Sequence, residues 1–72
     1  MFGITPKIVE RLREMYPVGT RVKLTRMDDP QAPPIGTLGT VTGVDGIGNI
    51  MVNWDNGSSL NVVYKEDSVV VV

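Results

Sequence analysis

The tripeptide Asp55-Asn56-Gly57, which separates two apolar runs, constrains the fold of this chain more than any other feature. An Asn-Gly pair between alternating hydrophobic residues is a strong β-hairpin signal. A two-residue turn would place an apolar row beside a polar row on one face of the sheet, whereas a three-residue loop makes one continuous apolar face. We therefore predict a type I turn with a left-handed Gly57. The cross-strand pairs in this register are Trp54 with Ser58, Val52 with Leu60 and Ile50 with Val62, and Trp54 faces the core.

An amphipathic helix is predicted over residues 5–16. Thr5 can cap the free backbone amides, and Pro6 suits the first helical position because it lacks an N–H. The apolar side chains at helical spacing cover one face, and they are Ile8, Val9, Leu12, Met15 and Tyr16. Pro17 ends the helix, and residues 1–3 form a loose end before it. We expect the apolar stripe to pack on the protein's own sheet, and docking into the groove of a partner is the alternative.

Two strands are predicted between the helix and the hairpin. Residues 21–26 alternate polar and apolar side chains, with Val22 and Leu24 facing inward. Residues 37–44 form a second strand, whose two glycines mark a bend, a bulge or close packing of the backbone.

After the hairpin, the sequence predicts one short helical turn at residues 65–67 and a last strand at residues 68–72. The whole chain then forms one mainly β domain, residues 1–72, with the N-terminal helix at residues 5–16 and a small five-stranded bent barrel at residues 20–72.

Charge is distributed unevenly, although the net charge is only −1. Up to Met27 there are six basic and two acidic residues, a local net of +4, and from Asp28 onward there are one basic and six acidic residues, a net of −5. We interpret the two halves as lying against each other. The alternative is a basic patch on the helix and first strand that meets an acidic partner.

Catalysis is not expected, because the chain contains no histidine and no cysteine. It therefore lacks the commonest general base and the strongest nucleophile. The segment Asp45-Gly46-Ile47-Gly48-Asn49 faintly resembles a calcium loop, but it lacks the alternating acids and the closing glutamate, so we interpret it as a turn. We predict no enzyme activity, no metal and no cofactor.

No apolar run approaches the ~20 residues that a membrane span needs. The N-terminus also lacks the pattern of a secretory signal. We therefore expect a cytoplasmic protein with no membrane partner.

Four motifs, in order, resemble a known family. They are Tyr16-Pro17-x-Gly19-Thr20-Arg21-Val22, Met27-Asp28-Asp29-Pro30, Gly36-Thr37-x-Gly39-Thr40-Val41-Thr42-Gly43-Val44-Asp45 and Trp54-Asp55-Asn56-Gly57-Ser58-Ser59-Leu60. Together they resemble domain of unknown function 4314, a family of small bacterial proteins that are often associated with phage or mobile elements. The resemblance runs from the helix to about Leu60, and it implies an SH3-like barrel. More loosely, the segment around Trp54 is similar to other SH3-like barrels, including Tudor-type modules that bind proteins. The family carries no assigned activity, so the resemblance implies no catalytic residues.

We predict a small binding module that mediates protein–protein interaction as an accessory protein. The proline-rich loop at residues 27–36 is long enough to carry a binding function, although it also suits a stiff connector. The valine-rich last strand invites pairing with another chain. We expect an unknown protein partner first and a homodimer second. The candidate partner-binding residues are Arg21, Lys23, Arg26, Asp28, Asp29, Pro33, Pro34 and Tyr64.

Nucleic-acid binding is the alternative function. It would use Arg21, Lys23 and Arg26, together with Lys7, Arg11 and Arg13 if the helix lies alongside the first strand. The acidic second half of the chain opposes this function because it would repel phosphates.

Overall fold

The structure, a computed structural model, describes residues 4–72, so the predicted loose end at residues 1–3 lies outside the described range. Its elements are the helix α1 (Pro6–Met15) and the strands β1 (Arg21–Arg26), β2 (Leu38–Val44), β3 (Asn49–Trp54), β4 (Val62–Val63) and β5 (Ser68–Val71). The predicted helix and the strands β1, β2 and β5 are confirmed to within one residue at each end.

The five strands form one antiparallel sheet in the order β4-β3-β2-β1-β5. The last strand returns beside the first, with Lys23 opposite Val70 and Val22 opposite Val71. The prediction of a mainly β fold with five strands and one helix is confirmed, but the sheet is not closed into a barrel. Within residues 4–72, β4 pairs with β3 alone, over two residues, and no ladder joins β4 to β5. The SH3-like assignment stays a prediction.

The predicted hairpin register is confirmed where the strands pair. Ile50 lies opposite Val62, and the N–H of Trp54 donates to the carbonyl of Ser58 at 3.0 Å. Gly57 has a φ of +93°, the left-handed conformation that the three-residue loop requires.

The hairpin differs from the prediction between its turn and β4. Residues 58–61 are not assigned to a strand, so the predicted pair of Val52 and Leu60 does not form. The indole Nε1 of Trp54 donates a hydrogen bond to the carbonyl of Leu60 at 2.9 Å. This bond occupies the Leu60 carbonyl. If residues 58–61 formed a strand, that carbonyl would accept a hydrogen bond from the backbone of β3 instead.

The N-terminus of α1 is capped and the helix is fastened to β2. The Thr5 Oγ1 accepts a hydrogen bond from the N–H of Ile8 at 3.2 Å. The guanidinium of Arg13 donates to the carbonyl of Val44 from Nε at 3.2 Å and from Nη2 at 3.0 Å. These contacts hold the helix across one end of the sheet.

The helix packs on the protein's own sheet, as predicted, but it buries a narrower face than its apolar stripe. Val9 and Leu12 are buried, whereas Met15, which was expected on the packed face, is 53% exposed. Met15 lies at the border of the stripe, about 60° around the helix from Leu12 and on the side away from Val9. The buried face is centred between Val9 and Leu12, so Met15 remains beside the core rather than in it.

One apolar core lies between the helix and the sheet. Its buried members are Val9, Leu12, Val22, Leu24, Val41, Val44, Ile50, Val52, Trp54 and Val62. Trp54 is 3% exposed, which confirms that its side chain faces inward. A Cβ atom at Gly39 would lie 2.5 Å from Cγ1 of Val52 and 2.7 Å from Cε3 of Trp54. Close packing therefore requires the glycine, which is one of the three explanations that the sequence left open.

The turn that joins β4 to β5 is not the predicted helical turn. The N–H groups of Glu66 and Asp67 both donate to the carbonyl of Val63, at 3.0 and 2.9 Å. Lys65 has a φ of +71°, which a right-handed helical turn does not contain. The turn reverses the chain through a left-handed residue and places β5 back beside β1.

Candidate functional site

The predicted partner-binding residues fall in three separate places. The side chains of Lys23 and Arg26 are exposed along β1, and Arg21 is partly exposed there. The loop between β1 and β2 holds four of the predicted residues, Asp28, Asp29, Pro33 and Pro34. Tyr64 lies after β4, partly buried against the core. No single surface brings all eight residues together.

The charge of Arg21 is neutralised by an ion pair with Asp55. Its Nη1 and Nη2 donate to the two carboxylate oxygens of Asp55 at 2.9 and 2.6 Å, and Nη1 also donates to Oγ1 of Thr40 at 2.8 Å. The hydrogen bond from Arg21 holds the pKa of Asp55 below its ordinary value, and the same bond raises the pKa of Arg21. This is the one ion pair within residues 4–72, and it joins the basic first half of the chain to the acidic second half.

The proline-rich loop is folded back onto the protein, and one of its predicted contact residues is inaccessible. Pro33 is buried, so its ring is not exposed at the surface where a partner would bind. A proline ring can be buried at low cost because it has no N–H to satisfy. The N–H of Gly36 donates to the carbonyl of Leu24 at 2.8 Å, which fastens the loop to β1. These contacts favour the stiff connector, and Pro34 remains exposed at its surface.

Two of the predicted residues lie beside an acidic groove. Asp28 and Asp29 are exposed and line it together with Glu66 and Asp67 from the turn before β5. In the part of the chain that the structure describes, no three acidic, histidine or cysteine side chains are arranged to hold a metal ion.

The carboxylate of Asp45 closes the turn between β2 and β3. It accepts hydrogen bonds from the N–H of Asn49 at 2.9 Å, from the N–H of Ile47 at 3.1 Å and from the Asn49 side-chain amide at 3.2 Å. These bonds, chiefly the one from the Asn49 backbone, lower the pKa of Asp45. Its oxygens therefore serve the turn, which agrees with the prediction of a hairpin turn.

A groove of about 420 Å³ lies where the sheet is open, between α1 and the segment that runs from β4 to β5. We name it the Tyr64 groove. The helix lines one side of it and the segment around Tyr64 lines the other. Its principal lining residues are Ile8, Arg11, Leu12, Met15, Tyr16, Tyr64, Lys65, Asp67 and Val69. The exposed Met15, which the core does not use, belongs to this lining.

The rim of the Tyr64 groove carries more positive than negative charge. Neither Arg11 nor Lys65 has a carboxylate within 4.0 Å among residues 4–72. The Nζ of Lys65 lies 5.8 Å from the ring centroid of Tyr64, within the range of a cation–π contact. Asp67 is the only acidic residue of the lining, and its Oδ2 accepts a hydrogen bond from the N–H of Val63 at 2.9 Å. The groove therefore offers an apolar floor, two tyrosines and two unpaired cations.

A protein-family model described as a domain of unknown function, DUF4314, matches residues 5–72. The chain belongs to this family. The match continues past Leu60 to the last residue, so the DUF4314 unit includes the turn after β4, the strand β5 and the residues on both sides of the Tyr64 groove. A comparison with curated proteins gave no match. No helix of this DUF4314 domain, within residues 4–72, is long and apolar enough to cross a membrane.

Sequence reasoning identified Tyr64 but missed most of the residues that surround it in the DUF4314 domain. Met15 was assigned to the packed face of the helix, Arg11 was considered only as part of a basic patch, Val69 only as part of an edge strand, and Lys65 was not considered for binding. One signal could have pointed to them. Met15 lies at the border of the apolar stripe of α1, where a side chain can remain outside the buried face.

Proposed function

We propose that this chain is a non-catalytic protein-interaction module that binds an apolar segment of a partner protein in the Tyr64 groove. The observation that carries the proposal is the composition of the groove, which combines apolar side chains from α1 and β5 with Tyr16 and Tyr64. Tyrosines and flexible methionines are typical of protein-binding surfaces because they give a large contact area that adapts to the partner. A volume of about 420 Å³ suits two or three side chains of a bound segment.

The charges of the rim indicate what flanks the apolar residues of that segment. Arg11 and Lys65 lie on opposite sides of the groove, one on α1 and the other in the turn before β5. Because neither has a carboxylate partner within 4.0 Å in residues 4–72, an acidic residue of the segment would gain an ion pair without breaking one. We therefore propose a partner segment with apolar anchors beside an aspartate or glutamate.

The nucleic-acid alternative has less support. Arg21, the first of its proposed residues, is neutralised by Asp55. The helix packs on the inner side of the sheet with Val22 and Leu24, whereas Lys23 alternates to the outer side. The basic residues of the helix and of β1 are therefore divided between different sides of the molecule, and a continuous phosphate-binding surface is not formed.

Selection from a random peptide library displayed on phage, against the immobilised protein, tests the proposal directly. We expect the enriched peptides to share apolar residues beside Asp or Glu. Binding of the enriched peptides is then measured by calorimetry with two variants of exposed groove residues. Met15→Asp places a charge in the groove, and we expect it to weaken binding by about tenfold or more. Lys65→Glu reverses a rim charge, and we expect a loss of about fivefold.

Matched controls carry the same substitutions away from the groove. Val18→Asp adds a charge at an exposed apolar residue beyond the helix, and Lys23→Glu reverses a charge on the outer side of β1. We expect both to bind the peptides as the unmodified protein does. The proposal fails if no peptide family is enriched, or if the enriched peptides bind Met15→Asp and Lys65→Glu as tightly as the controls.

A further inference from the structure

Among residues 4–72, the strand β5 is an edge strand without the usual protection. Its residues and the one that follows are Ser68, Val69, Val70, Val71 and Val72, with no charge and no proline among them. The last three valines are 44%, 58% and 60% exposed. Natural edge strands are normally made very short or marked by charge, proline or a covering element, because an open edge pairs with other strands.

The opposite edge of the sheet is protected in this way. β4 contains only Val62 and Val63, and the N–H of Val63 donates to the carboxylate of Asp67. One edge is therefore short and capped by a side chain, whereas β5 is an edge of one serine and three valines without a charged side chain.

The register of β5 shows which backbone groups point outward. The N–H of Val72 donates to the carbonyl of Arg21 at 3.0 Å, and Lys23 lies opposite Val70. Hydrogen-bonded and non-hydrogen-bonded pairs alternate along an antiparallel ladder, so Val70 and Val72 direct their backbone groups toward β1. The N–H and C=O groups of Val69 and Val71 then point away from the sheet, where another strand can bind them.

We propose that a second copy of this chain pairs with this edge, β5 against β5, in an antiparallel register with the two-fold axis at Val70. In this register Val69 of one copy lies opposite Val71 of the other, and the two-fold axis generates this pair twice. Each pair exchanges two backbone hydrogen bonds, which makes four in total. The side chains of the two Val70 residues meet at the axis. The result is a continuous ten-stranded sheet.

The strand is complementary to itself in chemistry as well as in geometry. Five successive positions without a charged side chain meet the same five positions, so pairing places no like-charged side chains opposite each other. Lys23 lies beside Val70 on the outer side, but the two Lys23 residues would be three strand spacings apart, about 14 Å, which exceeds the Debye length of ~8 Å at physiological salt. Arg21, beside Val72, is already paired with Asp55.

The strength of the association follows from its size. A contact made by three exposed valines and four hydrogen bonds buries far less surface than the ~800 Å² per partner that a stable interface buries. We therefore expect reversible dimers that form at high protein concentration. This inference goes beyond the proposed function, since Val69 is the one β5 valine that lines the Tyr64 groove and the pairing depends on the backbone of the edge.

Single-cysteine variants test the register, because the chain has no cysteine of its own. Val70→Cys places the two thiols at the axis, in a non-hydrogen-bonded pair with Cα atoms about 4.5 Å apart, which a disulfide can span. Val72→Cys is the control. It is more exposed than position 70, but the register places the two cysteines about 13 Å apart. Under mild oxidation at high concentration, we expect Val70→Cys to form disulfide-linked dimers at least tenfold faster than Val72→Cys.

Sedimentation equilibrium supplies the second measurement. Val71→Pro removes an outward N–H without removing a hydrogen bond to β1, so we expect it to remain folded and monomeric. Val71→Thr keeps the N–H, and we expect it to associate as the unmodified protein does. Equal disulfide formation by the two cysteine variants would overturn the register. Failure of Val70→Cys to cross-link, with a monomeric wild-type chain up to about 1 mM, would overturn the pairing itself. Neither result would affect peptide binding in the Tyr64 groove, so the two proposals fail separately.

Discussion

Replacing Trp54 with alanine should unfold this domain or bring it close to unfolding. The side chain is 3% exposed and packs in the centre of the core, over the backbone at Gly39. Removal of a buried tryptophan costs about 3–5 kcal/mol through lost burial and the cavity that remains. Loss of the indole hydrogen bond to the Leu60 carbonyl adds about 1 kcal/mol. A domain of 72 residues has a total stability of roughly 4–10 kcal/mol, so this single change removes about half of it or more.

The assay is urea denaturation followed by far-ultraviolet circular dichroism. Fluorescence suits the unmodified protein but not the variant, because Trp54 is the only tryptophan. Trp54→Phe separates the two contributions. It keeps most of the apolar packing but loses the indole N–H, and we expect it to cost about 1–3 kcal/mol. Ile47→Ala, at a residue that is 70% exposed, is the control and should change the stability by less than about 0.5 kcal/mol.

The result that would refute this reasoning is a Trp54→Ala protein with an unchanged cooperative transition and a loss below about 1 kcal/mol. That outcome would mean that the indole does not contribute to the core as its burial indicates. The assignment of the inner face of the hairpin would then have to be abandoned.

Two further predictions concern the core and the ion pair. Gly39→Ala should lower the free energy of unfolding by about 1–3 kcal/mol in urea denaturation, because the new Cβ would overlap Val52 and Trp54. Gly46→Ala, where no heavy atom lies within 4 Å of the new Cβ, is the control, and equal effects of the two would contradict the packing argument. The pKa of Asp55 is lowered in the folded state, so its contribution to stability is complete above the ordinary value of 3.8 and is lost as the pH falls through the lower folded value. Asp55→Asn should therefore reduce the difference in urea midpoint between pH 7 and pH 3, and an unchanged difference would show that the pair with Arg21 does not contribute in solution.

The hairpin shows how far local sequence can determine structure. Asp55-Asn56-Gly57 favours one turn, and the alternation of apolar residues favours one register, so Trp54 and Ile50 were placed correctly before any long-range contact was considered. The prediction failed nearby, at Leu60, because the Trp54 indole binds its carbonyl. That bond joins the two arms of the hairpin through a side chain, so the pattern of backbone hydrogen bonds between paired strands does not predict it.

The candidate site was less predictable than the fold. Pro33 looked accessible because it lies in a proline-rich loop, but the loop is folded back on β1 and buries it. Arg21 looked like a free cation, yet Asp55, 34 positions away, pairs with it. Met15 looked like a core residue because it lies on the apolar stripe. Each of these features depends on which distant parts of the chain lie side by side.

The sequence by itself determined the helix, the strands and the turn of the hairpin, because caps, glycines, prolines and hydrophobic periodicity act between residues that are close along the chain. The tertiary structure alone decided that the sheet stays open between β4 and β5, that Tyr64 lines a groove there, and that no other element of residues 4–72 pairs with the outer edge of β5. These features depend on which strand lies beside β1 and on the short length of β4. Both are settled by packing around a shared core, where many weak and distant contacts act together.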